Sequence, residues 1–343
     1  MELVRKSSHR RLIIWLMKGY VMVLMMVMIG GITRLTGSGL SMVEWNVIMG
    51  AVPPMNEADW NKTFEQYKQF PQYQLVNAHM TVSDFKSIFW WEYIHRLWGR
   101  LIGLVFIIPF VYFFVKKQFT SDLVKKLIFV FVLGGLQGAM GWYMVQSGLV
   151  DNPFVSHFRL TAHLLLALAI CGVLWWQSLE LMNSGMTSRQ HALTRWTLIF
   201  IALVIIQITL GGMTAGLKAG HVYNTFPKMG DEWIATGVWQ MAPWWMNFFE
   251  NPFMVQFLHR TAGIIITVFT VVFWWRASRL QLDDRIRWRI LAVIAAVAVQ
   301  FSLGVWALID RVPLTLGVMH QLGAFVLFSV VMWLYHGLKT ERV

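Results

Sequence analysis

The sequence predicts an all-α polytopic membrane protein with eight transmembrane helices. Of its 343 residues, 57% are hydrophobic and 13% are charged, whereas soluble globular chains carry about 25% charged residues. Eight apolar stretches reach about 20 residues, the length that crosses the hydrocarbon core of a bilayer as a helix. This composition excludes a disordered chain, a secreted disulfide-rich protein and an ordinary soluble enzyme.

The predicted spans are separated by short loops and by two long ones, at about residues 33–93 and 215–253. The first span follows a basic segment; its length and the lack of a small-residue cleavage site indicate a retained helix instead of a signal peptide. Both long loops are rich in Gly, Pro, Trp and Asn, which is typical of segments that cap a site. The predicted spans are 13–32, 94–115, 124–145, 157–178, 194–214, 254–277, 287–309 and 316–337.

The distribution of Lys and Arg predicts the orientation. Seventeen of them fall on the side that carries both termini, and seven fall on the longer loops of the other side. By the positive-inside rule both termini are cytoplasmic, and without an Arg/Ser-rich transit segment we expect the bacterial cytoplasmic (inner) membrane. The net charge of +12 then reflects membrane topology. The lipid bilayer is an expected partner, and nucleic acid is not.

A pattern of four helices occurs twice, which predicts two tandem four-helix bundles related by internal duplication. Gly30-Gly31 at the end of the first span matches Gly211-Gly212 at the end of the fifth, and residues 136–142 resemble residues 300–306. Because each half has an even number of spans, both halves have the same orientation. The predicted halves are residues 1–185, with the long outer loop 33–93, and residues 186–343.

Each half also repeats two histidines near the start of its even-numbered spans, in the outer leaflet. The four are His95, His163, His259 and His320. Ionisable side chains inside a span are costly and usually functional. The residue four positions after each histidine is Gly or Ala, which leaves room beside an axial ligand for a flat macrocycle.

The histidine pattern therefore predicts a haem held by two imidazoles in each half. Zinc would require three or four converging ligands, and the one cysteine, Cys171, lies in an apolar run, which excludes an intrachain disulfide or a Cys-based metal site. The alternative is that all four histidines are hydrogen-bonded core residues.

One position differs between the halves. Glu92 lies three residues before His95, and its counterpart before His259 is Gln256. A buried carboxylate can accept a proton or stabilise a cation, whereas an amide carries no charge. The difference predicts a reactive site in the N-terminal half and a resident haem in the C-terminal half. The alternative is that Glu92 only pairs with Arg96.

Three arginines lie near the outer rim of these sites, where haem propionates would emerge. Bidentate hydrogen bonding to carboxylates makes them candidate propionate ligands. The alternative is that their long side chains only reach toward the membrane interface. The three are Arg96, Arg159 and Arg260.

Longer motifs make the sequence similar to the haem A synthase family over nearly the whole chain. They are residues 33–42 (TRLTGSGLSM) with Trp45, 50–54 (GAVPP), 92–100 (EYIHRLWGR), 137–149 (QGAMGWYMVQSGL), 155–164 (VSHFRLTAHL), 215–220 (AGLKAG) and 223–227 (YNTFP). One branch of that family carries a cysteine pair in its outer loops. This chain has none there and so resembles the cysteine-free branch of proteobacterial and mitochondrial enzymes.

The resemblance implies an oxidoreductase that converts haem O into haem A for a terminal cytochrome oxidase. Two successive hydroxylations of the C8 methyl, with oxygen from water, would give a gem-diol that loses water to form the formyl group. The resemblance implies that His95 and His163 ligate the substrate haem iron, that Glu92 is the catalytic carboxylate, and that His259 and His320 ligate the iron of a haem b cofactor.

The resemblance also bears on partners. Haem O synthase and an electron-transfer partner are expected, while the electron acceptor and the oligomeric state, including a homo-oligomer, stay open. His157 has no counterpart in the second half and no assigned role.

Two other functions share the four histidines: a di-haem b-type electron-transfer cytochrome, and a haem transporter or chaperone. Electron transfer across a membrane favours haems at different depths, whereas these histidines all fall in the outer leaflet. The difference between Glu92 and Gln256 also has no purpose in a cytochrome. The sequence therefore favours the enzyme.

Overall fold

A computed structural model describes residues 2–43, 52–149, 153–183, 186–188 and 191–342. Within these residues eight helices are long and apolar enough to cross a membrane, which confirms the predicted all-α polytopic fold. The helices are α1 (Glu2–Leu35), α2 (Glu57–Tyr67), α3 (Val82–Val115), α4 (Ser121–Gln146), α5 (His157–Met182), α6 (Thr194–Gly216), α7 (Asn247–Glu250), α8 (Pro252–Ser278), α9 (Asp284–Ile309) and α10 (Leu314–Lys339). The two short helices, α2 and α7, lie in the long loops.

Shorter elements complete the described structure. A five-residue π-helix covers Tyr73–Asn77, and the second long loop contains three 3₁₀ turns, at Ala219–His221, Thr236–Trp239 and Trp244–Met246. Two three-residue strands, β1 (Met186–Ser188) and β2 (Thr340–Arg342), pair antiparallel.

The main difference from the predicted spans is the start of α3, at Val82 instead of about residue 94. Thr81 forms a capping box with Asp84: the Asp84 amide donates to Thr81 Oγ1 at 3.4 Å, and the Thr81 amide donates to Asp84 Oδ2 at 2.9 Å. Such a box satisfies backbone amides that have no partner within the helix. Because the first turns contain Asp84 and Lys86, hydropathy alone detects only the apolar continuation of this helix.

The chain divides into two compact units, and the first is Lys18–Ile170. In it, helix α2 packs on the first turns of α3 through an aromatic cluster centred on Trp60, Phe64, Tyr67 and Phe85. The Phe64 and Phe85 rings lie 5.2 Å apart. The long loop 33–93 is thus a packed structure in its helical part.

The second unit consists of Cys171–Val343 together with Met1–Met17. Helices α6, α8, α9 and α10 form a closed bundle in it, because α6 contacts α8 and α10, and α9 contacts the same two helices. The division into halves at residue 185, which is outside the described residues, and the duplication itself stay predictions.

Candidate functional site

In the second unit, His259 on α8 and His320 on α10 face each other. Their ring centroids are 6.2 Å apart, and the ring planes are inclined at 87°. A metal–imidazole bond is about 2 Å long and the ring centroid lies about 1 Å beyond the nitrogen, so two imidazoles on opposite sides of one ion have centroids about 6 Å apart. The pair therefore fits axial ligation of a single haem iron.

Two glycines on neighbouring helices leave space for these rings. A Cβ built on Gly211 of α6 would lie 3.2 Å from His259 Cε1, and one built on Gly304 of α9 would lie 2.7 Å from His320 Cε1. Carbon atoms in contact are normally about 3.5–4.0 Å apart. A side chain at either position would thus displace the imidazole that it faces.

Glutamines hold the backbone of both histidines. Gln207 Nε2 donates to the carbonyl oxygen of His259 at 3.0 Å, and Gln300 Nε2 donates to that of His320 at 2.9 Å and lies 3.1 Å from its Nδ1. Nδ1 of His259 is buried and has no hydrogen-bond partner among the described residues.

The first unit contains corresponding parts. His95 on α3 faces Gly30 of α1, where an added Cβ would lie 3.4 Å from the ring, and His163 on α5 faces Gly141 of α4, where it would lie 3.2 Å away. Gln137, one turn before Gly141, places its Nε2 3.3 Å from His163 Nε2. Each of the four sequence-predicted histidines therefore has a facing glycine on another helix.

Glu92 is buried, with 2% of its surface exposed, and both of its oxygens accept hydrogen bonds. Oε2 accepts from the Ser41 hydroxyl at 2.7 Å and from the Met42 amide at 2.8 Å. Oε1 accepts from Arg96 Nε at 3.1 Å and Nη2 at 2.5 Å, and the same Nη2 donates to the Met42 carbonyl at 2.7 Å. The carboxylate thus joins α3 to the segment that follows α1.

In the second unit a neutral amide, that of Gln256, takes the place of the carboxylate. Gln256, 1% exposed, donates from Nε2 to the Tyr223 carbonyl at 3.0 Å, while its Oε1 has no partner in the described part of the chain. Arg260 donates to the carbonyl oxygens of Thr225 and Lys228. Both units therefore fasten a loop segment beside the first histidine, and only the first unit does so with a carboxylate.

Arg159, the third rim candidate, donates to the Tyr143 carbonyl at 2.7 Å and stacks its guanidinium 3.6 Å from the centre of the Tyr143 ring. All three rim arginines thus have protein partners, and their propionate role stays a prediction. His157 begins α5 with its ring 4.1 Å from that of Phe158. Among the residues with described positions, no group of three or more His, Cys, Asp or Glu could hold a metal ion.

Comparison with known proteins places these sites in a family. A model of the cytochrome oxidase assembly protein family, COX15-CtaA, matches residues 13–332. The chain belongs to this family. Curated relatives include the haem A synthase of Nitrosospira multiformis, 46% identical over 98% of this chain and 95% of the relative. Those of Parvibaculum lavamentivorans and Paracoccus denitrificans are 44% and 41% identical over 97% and 96% of this chain, and over 95% and 88% of the relatives.

This membership in the cytochrome oxidase assembly protein family confirms the resemblance found in the sequence. The matched region contains both histidine pairs and all of the motifs that carried the resemblance. Trp45 and the Gly50-Ala51 pair, which belong to those motifs, lie outside the described residues.

Sequence reasoning missed four polar residues of these sites: Ser41, Gln137, Gln207 and Gln300. Gln137 and Gln300 each stand four residues before the glycine that faces the second histidine, Gly141 or Gly304. When the two repeats are aligned on Trp142 and Trp306, Gln137 and Gln300 are offset by one residue, so their correspondence is not apparent. A polar residue one turn before a glycine, on a face otherwise apolar, was the available signal.

Proposed function

We propose that this chain is a haem A synthase, which oxidises the C8 methyl of haem O to a formyl group. The observation that carries the proposal is the full-length similarity to proteins of that name, 46% identical over 339 residues in Nitrosospira multiformis. Two histidine pairs with a charged and a neutral neighbour support it, because a substrate haem and a cofactor haem need similar pockets with different chemistry beside them.

His95 and His163 would hold the substrate haem in the first unit, as its axial ligands. The facing glycines, Gly30 and Gly141, support this role. Because neither has a side chain, each imidazole can lie close to the neighbouring helix without a steric clash. Two ligands at the iron would fix the centre and the plane of the macrocycle, and such positioning lowers the entropy cost of the reaction.

Glu92 would act as a fixed negative charge beside the reacting methyl. Removal of electrons from a methyl on a conjugated ring leaves a cation that the macrocycle delocalises, and a carboxylate nearby stabilises it. The four hydrogen bonds from Ser41, Met42 and Arg96 support this role over that of a base. An ionised carboxylate has about four acceptor positions, so all are in use, and proton uptake would break one of these bonds.

The overall conversion takes a methyl and one water to a formyl group. Each hydroxylation adds a water-derived oxygen and releases two electrons and two protons, and the gem-diol then loses water. The electrons leave to an electron-transfer partner, and the haem O substrate is supplied by a haem O synthase.

His259 and His320 would hold haem b in the second unit, with Gln207 and Gln300 fixing the backbone of the two ligands. When bound there, haem b supplies one-electron transfer. The 6.2 Å centroid separation supports the assignment. The neutral Gln256 beside His259 fits a site where no charge develops on a substrate.

The cellular setting follows from the same proposal. The eight spans make the chain a multi-pass membrane protein, and the Lys and Arg distribution supports an orientation with both termini in the cytoplasm. Both histidine pairs then lie toward the outer face, and a homo-oligomer is compatible with this arrangement.

The pigment of the purified chain tests the cofactor part of the proposal. Protein from cells without haem O synthase should contain haem b alone, and protein from cells with it should also contain haem O or haem A. A well-folded chain without any bound haem would contradict the proposal.

A further inference from the structure

The second long loop exposes a set of large aromatic side chains. The exposed fractions are 58% for Trp239, 67% for Trp244, 52% for Trp245 and 47% for Phe249. We call these four residues the tryptophan surface. Trp233 and Ile234, earlier in the same loop, are also exposed. From 233 to 249 the sequence contains no charged residue.

The tryptophan surface rests on a well-bonded scaffold. Asn247 is fully buried and binds both backbone groups of Met241 at 3.0 Å and the Trp244 carbonyl at 2.8 Å. Asn251 donates to the Gly237 carbonyl at 2.8 Å and caps the first turn of α8. The side-chain amides of Asn247 and Asn251 therefore lie inside the loop, and the indole rings lie outside it. In an ordinary soluble loop the polar side chains face the solvent instead.

Phe248 links the surface to the interior of the loop. Its ring lies 5.7 Å from that of Trp239 and 5.9 Å from that of Trp244, edge-on to both. Phe248 also packs against the buried cluster of Met229, Ala235, Val238 and Met254. The two tryptophans are thus neighbours on one supported face.

Aromatic richness alone does not explain this exposure. The first long loop is also aromatic, but Trp60, Phe64 and Tyr67 are 7%, 4% and 0% exposed because they pack on α3. The second loop leaves its largest apolar side chains in contact with the surroundings, and contiguous exposed apolar surface of this kind marks a contact with another phase or molecule.

The position of the surface along the chain identifies that phase. α8 has 27 residues, and at about 1.5 Å per residue it is about 40 Å long, the thickness of a bilayer with its headgroups. Its first residue, Pro252, then lies at the headgroup level, and α7 with Phe249 directly precedes it. Uncharged, amphipathic tryptophans are enriched at this level in membrane proteins.

We propose that the tryptophan surface lies in the headgroup region of the leaflet that the N-terminal end of α8 reaches, and anchors the loop 215–253 to the lipid. Further along α8, Val268 and Val271 are exposed apolar residues as well. This inference does not depend on the proposed enzymatic activity.

Spin labels in vesicles of mixed zwitterionic and anionic phospholipid test it on the full chain. The variants W239C and W244C each add one accessible thiol, because the natural Cys171 is 1% exposed. K62C on the exposed face of α2 is the water control, and V268C is the deep-lipid control. Unmodified protein should take up no label, which also shows that the fold protects Cys171.

The measurement compares relaxation of each label by oxygen, which partitions into lipid, and by a nickel chelate, which stays in water. We expect the oxygen-to-nickel ratio at 239 and 244 to be several-fold above that at 62 and below that at 268. A ratio equal to that at 62 would overturn the inference. Protection from both reagents would also overturn it, because it would show a protein partner or a second copy on this surface.

Discussion

The Glu92 carboxylate and the Arg96 guanidinium form a buried ion pair one turn apart on α3, with 2.5 Å between Oε1 and Nη2. Only 3% of the Glu92 side chain and 10% of the Arg96 side chain are exposed. Arg96 also holds the Met42 carbonyl, so the pair fastens the segment after α1 beside His95. Glu92 and Arg96 therefore place the carboxylate near His95 and also hold the segment after α1 in position.

Glu92→Gln should lower haem O conversion by roughly 100-fold while the chain keeps its b-type haem. The substitution preserves size and removes the charge that would stabilise the cation, a loss of transition-state stabilisation on the order of 3 kcal/mol. The assay is haem A formed per chain, with the reduced spectrum as the measure of resident haem.

Ser41→Ala is the matched control for that variant. It removes one hydrogen bond to Glu92 Oε2 but keeps the charge, so turnover should fall only by about fivefold, as for a loss near 1 kcal/mol. Full activity of Glu92→Gln would remove Glu92 from the catalytic site.

His259→Ala and His320→Ala should each abolish the b-type spectrum of the purified protein, because each would remove one of the two imidazoles proposed to hold haem b. His95→Ala is the control, since it alters only the other unit, and it should keep that spectrum while haem O conversion is lost. An unchanged reduced spectrum in either of the first two variants would contradict the cofactor site.

Gly141→Ala should impair conversion of haem O without loss of the resident haem. A Cβ there would lie 3.2 Å from His163 Cε1 and displace the ring. Gly138→Ala, one turn earlier on α4, is the control because nothing lies within 4 Å of its added Cβ. Alanine raises helix propensity by about 1 kcal/mol at both positions, so a difference between the two variants reports the contact with the His163 ring. Equal activity of the two variants would show that ring contact with α4 is unimportant.

Tyr67→Phe should destabilise the first long loop by about 1–2 kcal/mol. The buried hydroxyl donates to Gln72 Oε1 at 3.0 Å and accepts from Asn77 Nδ2 at 2.8 Å, and Gln72 in turn donates to the Gly37 carbonyl. Burial raises the pKa of Tyr67, so its proton stays on the oxygen. Limited proteolysis between residues 60 and 80 measures the effect. Tyr73→Phe, which loses one exposed hydrogen bond, is the control and should be cleaved at the wild-type rate.

The spans could be predicted from the sequence because apolar length is a local property. The predicted start of the fourth span, His157, is the first residue of α5, and the fifth starts at Thr194 as predicted. The start of α3 was missed because its first turn contains Asp84 and is set by the Thr81 capping box, which hydropathy does not detect.

The histidines could likewise be found from the sequence, since an ionisable residue in an apolar span is conspicuous. The residues that contact these histidines and Glu92 could not be found in this way. Ser41 lies 51 positions from Glu92, and only the folded turn after α1 brings its hydroxyl to the carboxylate. Gln207 on α6 likewise donates to the carbonyl oxygen of His259 on α8, and the spacing of the two residues in the sequence does not reveal this contact.

Haem extracted from cells that express this chain together with a haem O synthase, analysed by mass spectrometry, tests the central claim most directly. A haem A synthase converts the haem O of those cells into its hydroxylated and formyl forms, and both masses should appear only when the chain is present. Unchanged haem O beside a normal b-type spectrum would contradict the claim and leave an electron-transfer cytochrome or a haem carrier.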